Sequence, residues 1–72
     1  MRYKKRLAQA EKRISELDRL FIRIYEDNVA GTLDDEKFAM MSKNYTQEQK
    51  DLKAEVRSLQ QEIEEQERQA DN

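Results

Sequence analysis

The sequence predicts an all-α fold, an antiparallel two-helix coiled-coil hairpin, and three observations predict it. A single glycine, Gly31, sits near the middle of a 72-residue chain that has no proline and no cysteine. Apolar residues recur at helical spacing on both sides of it. The two apolar runs also mirror one another about the glycine, as an antiparallel pair joined by a short turn requires.

Helix one is expected from about residue 2 to about residue 30. Its apolar run is Tyr3, Leu7, Ala10, Ile14, Leu17, Phe21 and Ile24. The spacings alternate between four and three, which is an unbroken heptad a/d seam. The turn is expected over residues 31–34. Gly31 fits the position just past a helix end, where a left-handed backbone costs glycine nothing. Asp34 is a good N-cap, since its carboxylate accepts from the free amides of a helix start. Leu33 before it and Phe38 four residues after it have the spacing of a hydrophobic staple. Asp35 and Glu36 place acids in the first turn, at the positive end of the helix dipole. Thr32 is the alternative cap.

Helix two is expected from about 35 to about 70, with the chain forming a single hairpin over 1–72. Its run is Phe38, Met41, Tyr45, Leu52, Val56, Leu59 and Ile63. The step Met41-Tyr45-Gln49-Leu52 covers eleven residues in three turns, a stutter that locally relaxes the supercoil. Gln49 or Glu48 therefore puts a polar group in the seam, a device that sets register at some cost in stability.

Facing positions can be paired. Ile24 meets Phe38, Phe21 meets Met41, Leu17 meets Tyr45, Ala10 meets Leu52 and Tyr3 meets Leu59. In each pair the residue numbers add to the same total, and Leu7 with Val56 departs by one. Residues 60–72 have no partner on this scheme. Helix two is expected to overhang by about 12 residues, or about 18 Å.

Composition narrows the function. The apolar fraction is 36% and the charged fraction 42%, so the core can only be a narrow seam. The absence of cysteine excludes disulfides and thiolate metal sites. The absence of histidine removes the usual general base and zinc ligand. One glycine cannot build a phosphate loop. Neither an active site nor a cofactor site is expected, and metal binding by Asp34, Asp35 and Glu36 gives way to helix capping. No apolar run approaches the ~18 residues of a membrane span, and no signal peptide is visible. Met1 is followed at once by mid-helix chemistry, so the chain is expected to be a piece of a larger cytoplasmic protein.

The net charge is only −2, but it is unevenly spread. Residues 2–13 hold Arg2, Lys4, Lys5, Arg6, Lys12 and Arg13 against Glu11. Residues 61–72 hold Glu62, Glu64, Glu65, Glu67 and Asp71 against Arg68. The basic stretch is a candidate for DNA phosphates. Its ordinary reading is a charged helix whose long side chains flank the seam. The acidic stretch reads as a solvated helix end. Tyr3 and Tyr45 read as seam residues ahead of stacking platforms for bases.

A contact surface is legible near the turn. Ile22, Tyr25 and Val29 share a helix face roughly 65–120° from the seam at ~100° per residue. Leu20 lies on the opposite flank, and Met40 points away from the seam on helix two. Apolar groups gathered off the seam mark a partner-binding surface. The alternative is a broad core near the turn, with Leu33 folded over Val29 and Tyr25.

The stretch Leu17-Asp18-Arg19-Leu20-Phe21-Ile22-Arg23-Ile24-Tyr25-Glu26-Asp27-Asn28-Val29-Ala30-Gly31 carries a family likeness. Together with Asp35-Glu36-Lys37-Phe38, Met41-Ser42, Tyr45 and Glu48-Gln49, it resembles the coiled-coil segment of large serine recombinases. These are the bacterial site-specific recombinases of temperate phages and conjugative transposons, and the likeness spans roughly residues 10–65. It implies a parent with a catalytic-serine domain, and with a recombinase domain and a zinc ribbon that grip DNA. The hairpin would project from the ribbon region, hold recombinase dimers together across two DNA sites and help control direction. The implied partners are other recombinase hairpins and a directionality-control protein. No catalytic or zinc-binding residue carries over to this chain. A free-standing adaptor or chaperone-like hairpin that assembles into a four-helix bundle is the reading from another class.

Overall fold

The computed structural model describes residues 2–70, and these form two helices. Helix α1 runs Arg2–Ala30 and α2 runs Asp35–Ala70. They pack side by side as an antiparallel hairpin, a rod of 59 × 14 × 13 Å. The all-α hairpin expected from the sequence is thus the observed fold.

The turn is built by backbone chemistry at both helix ends. Gly31 has a φ of 86° and is the left-handed residue that ends α1. Its amide donates to the Asn28 carbonyl at 3.1 Å, and the Thr32 amide donates to the Asp27 carbonyl at 3.0 Å. This crossed pair of bonds is a Schellman motif, which satisfies carbonyls that the helix end leaves free. Asp34 caps α2: its Oδ1 accepts from the Lys37 amide at 2.7 Å, and its carbonyl accepts the first helical bond, from Phe38, at 2.9 Å. Thr32 is not the cap. Its hydroxyl donates backwards to the Asp27 carbonyl at 3.0 Å and finishes α1 rather than starting α2.

The core is narrow. Ala10, Leu17 and Ile24 keep 4% or less of their surface in solvent. They recur every seven residues, so one heptad position of α1 faces the middle of α2. Leu7, Ile14 and Phe21 of α1 are half-buried, as are Phe38, Met41, Tyr45, Leu52, Val56, Leu59 and Ile63 of α2. Two helices enclose one central row between them, and everything beside that row keeps an open flank. Tyr3 departs from the seam expectation: it is 37% exposed, at the end where α1 begins.

Both polar residues at the stutter are used. Gln49 donates to the Asp18 carboxylate at 2.6 Å and to the Ile14 carbonyl at 3.3 Å. Glu48 pairs with Arg13 and accepts from its Nε at 2.6 Å. Arg6 makes a two-pronged ion pair with Glu55, its Nη2 lying 2.9 Å from Oε2. These pairs sit one residue off the seam register, as expected for groups that flank it. The end of α2 is not without partners, contrary to the pairing scheme. Lys4 reaches Glu67 at 3.4 Å, and Ile63 is half-buried, so α1 engages α2 beyond residue 60. The long lysine side chain closes that gap. Residues 71 and 72, and with them Asp71, lie outside the described residues.

Candidate partner-binding surface

The turn end of the rod brings several apolar side chains to the surface. Ile22, Tyr25, Val29 and Met40 keep 58–68% of their surface in solvent. Ile22 and Tyr25 are spaced i, i+3 on α1 and sit beside the seam rather than in it. With Phe21, Glu26 and Phe38 they line an open apolar groove across the two helices. Phe21 and Phe38 form its inner wall and are half-buried. Phe21 is held by Tyr45, ring edge to ring face, with centroids 5.7 Å apart and planes at 85°.

The other expected contact residues are placed differently. Val29 is exposed nearer the turn and does not line the groove. Met40 is exposed on the outer side of α2, about 140° from that helix's seam at ~100° per residue. Leu20 is half-buried on the far flank of α1 and is not an exposed contact group. Ile22 and Tyr25 are therefore what the fold gathers from that set. The broad-core alternative does not hold for Val29 and Tyr25, which stay open to solvent although Leu33 is half-buried.

One residue behind this surface carried no strong sequence signal. Asn28 Nδ2 donates to the Leu33 carbonyl at 3.1 Å and to the Asp35 carboxylate at 2.8 Å. It ties the last turn of α1 to the first turn of α2. The only hint in the sequence is an amide three residues ahead of the glycine, where two N–H groups meet the carbonyls of a turn.

The charged end behaves as a flanked seam. Hydrogen bonding from Arg13 holds the Glu48 carboxyl below the usual carboxylate range, and Arg6 does the same to Glu55. The two guanidinium groups are correspondingly raised by these carboxylates. Lys4, Arg6 and Arg13 thus have intramolecular carboxylate partners, which leaves less of the basic stretch for phosphates. Asp34 is occupied as a cap and Asp35 as an acceptor from Asn28. Among the described residues no three His, Cys, Asp or Glu side chains gather as a metal site, and no helix is long and apolar enough to cross a membrane.

No protein-family model, curated protein or solved structure matches this chain.

Proposed function

We propose that this chain is a protein–protein contact element of the large serine recombinase type, acting where two recombinase dimers are brought together on DNA. The observation that carries the contact role is the exposed pair Ile22 and Tyr25, set beside Phe21 and Phe38 in an open groove. A seam this narrow has few large apolar groups to spare for solvent, and clusters of them mark contact sites. The recombinase assignment rests on the residue pattern of 17–31 with its companions in α2. The hairpin shape and the placing of the apolar surface near the turn agree with it. On this reading catalysis and DNA binding belong to other domains of the parent, and the hairpin's partners are other hairpins and a directionality-control protein.

The test separates surface from seam. Ile22→Glu with Tyr25→Glu is expected to leave the helical circular dichroism intact and abolish self-association in sedimentation. Leu17→Glu buries an unpaired charge and is expected to unfold the hairpin. In the full-length protein the surface pair is expected to leave one-site DNA complexes intact and remove two-site complexes in gel shifts. Normal two-site complexes would reject the synaptic role. A reading frame without a catalytic-serine domain would reject the recombinase assignment and leave an adaptor that assembles into a four-helix bundle. That second reading is favoured by one observation: no seam side chain of α2 is fully buried within the hairpin.

A further inference from the structure

The two halves of the rod are held by different forces. In the turn half lie Leu17 and Ile24, both buried, and the Phe21–Tyr45 ring contact. The Schellman motif, the Asp34 cap and the Asn28 bridge close that end. Toward the open end the last buried side chain is Ala10, a single methyl. Beyond it Leu7, Val56, Leu59 and Ile63 are only half-buried, and Tyr3 is exposed.

Charge is arranged in the opposite sense. Among the described residues every ion pair between the helices joins the first half of α1 to Glu48 or a later residue of α2, from mid-rod to the open end. They are Arg13–Glu48, Arg6–Glu55 and Lys4–Glu67. The sign pattern is constant, with cations on α1 and carboxylates on α2. Glu16 adds a second, same-helix partner for Arg13 at 3.4 Å. Each of these groups keeps 35–58% of its side chain in solvent, so salt screens the pairs.

From this we infer that the open end is an electrostatic latch, which separates while the turn half stays closed. Opening breaks the Arg6–Glu55 and Lys4–Glu67 pairs, loosens the mid-rod Arg13–Glu48 pair and parts half-buried contacts, whereas opening the turn half exposes Leu17 and Ile24, the large side chains buried among the described residues, and the aromatic pair. The latch is independent of what binds at the groove. It lets a change of ionic surroundings, or a competing polyanion or polycation, splay the α1 start and the α2 end without dismantling the turn-end surface.

Two spin-label pairs test this, because the chain has no cysteine of its own. Labels at Ala8→Cys and Ala54→Cys report the open end, and labels at Arg23→Cys and Ala39→Cys report the turn half. Each labelled chain is diluted with unlabelled protein, so that only distances within one chain are read. Between about 0.01 M and about 1 M salt the Debye length falls from about 30 Å to about 3 Å. The open-end distance is expected to lengthen and broaden at high salt, and the turn-half distance to stay fixed. Glu55→Arg is expected to produce the same splaying at low salt, and Arg6→Glu in the same chain to reverse it. An open-end distance that salt and Glu55→Arg both leave unchanged overturns the latch. So does a simultaneous change in both pairs, which would mean that the hairpin opens as one unit.

Discussion

The side-chain amide of Asn28 lies 2.8 Å from the Asp35 carboxylate and so spans the turn from the last coil of α1 to the first coil of α2. The same nitrogen holds the Leu33 carbonyl. One side chain therefore adds to the Schellman motif and the Asp34 cap in setting how the two helices leave the turn.

Removing this bridge has a defined cost. Asn28→Ala is expected to destabilise the hairpin by about 1 kcal/mol, the net worth of such hydrogen bonding. Asn28→Asp is expected to cost more, because it sets a second carboxylate against Asp35 and against the negative end of the α1 dipole. Thermal melts followed by circular dichroism rank the two. If Asn28→Asp melted no lower than Asn28→Ala, the bridge would carry no weight in orienting the turn.

Gly31 is required for its backbone, not for space. A Cβ built there meets nothing within 4 Å, while the φ of 86° is left-handed. Gly31→Val is expected to destabilise by about 1 kcal/mol or more, and Gly31→Asn by less, since asparagine tolerates this region. Denaturant midpoints measure the difference. Equal midpoints for all three chains would show that the turn does not need a left-handed residue.

The flanking ion pairs make a charge-reversal cycle informative. Arg13→Glu and Glu48→Arg are each expected to lower the melting temperature, and the double variant to recover much of the loss. Independent, additive losses would place the two groups out of contact. Protonation acts on the same pairs. Arg13 and Arg6 hold the Glu48 and Glu55 carboxyls below their ordinary value of 4.5, so the folded state binds the proton less readily than the unfolded one. The stabilisation is complete above that ordinary value and disappears as the pH falls through the lowered folded values. Melting temperature should therefore decline on acidification below about 4.5. The Glu48→Gln, Glu55→Gln double variant should show a shallower decline.

Register can be read directly by crosslinking. Cysteines at Leu7 and Val56 are expected to close an intramolecular disulfide on mild oxidation, and cysteines at Leu7 and Leu52 are not. Disulfides demand close Cβ positions, and one helical turn of displacement prevents them. The reverse preference would show a register one turn away from that indicated by the Arg13–Glu48 and Arg6–Glu55 pairs.

Much of this protein is written locally in its residues. The 4-3 spacing from Leu7 to Ile24 defines a helix face whatever lies opposite it. Gly31 and Asp34 act on their own backbone and near neighbours, so the turn and the cap are legible without a partner helix. The exposure of Ile22 and Tyr25 follows from their angle to the seam. Other features need both helices in place. Of the seam candidates only Ala10, Leu17 and Ile24 are buried, because the facing helix covers one row and leaves the flanks open. Leu20 is partly covered where spacing alone left it outside. Gln49 pairs with Asp18 while its neighbour Glu48 pairs with Arg13, a division that depends on which partners α1 presents. Lys4 reaches Glu67, and Asn28 bridges to Asp35, because flexible side chains find partners only once the helices are aligned. The periodicity along each helix is local and so determined the elements. The choice of partners across the hairpin is a property of two surfaces meeting, and only the tertiary structure decided it.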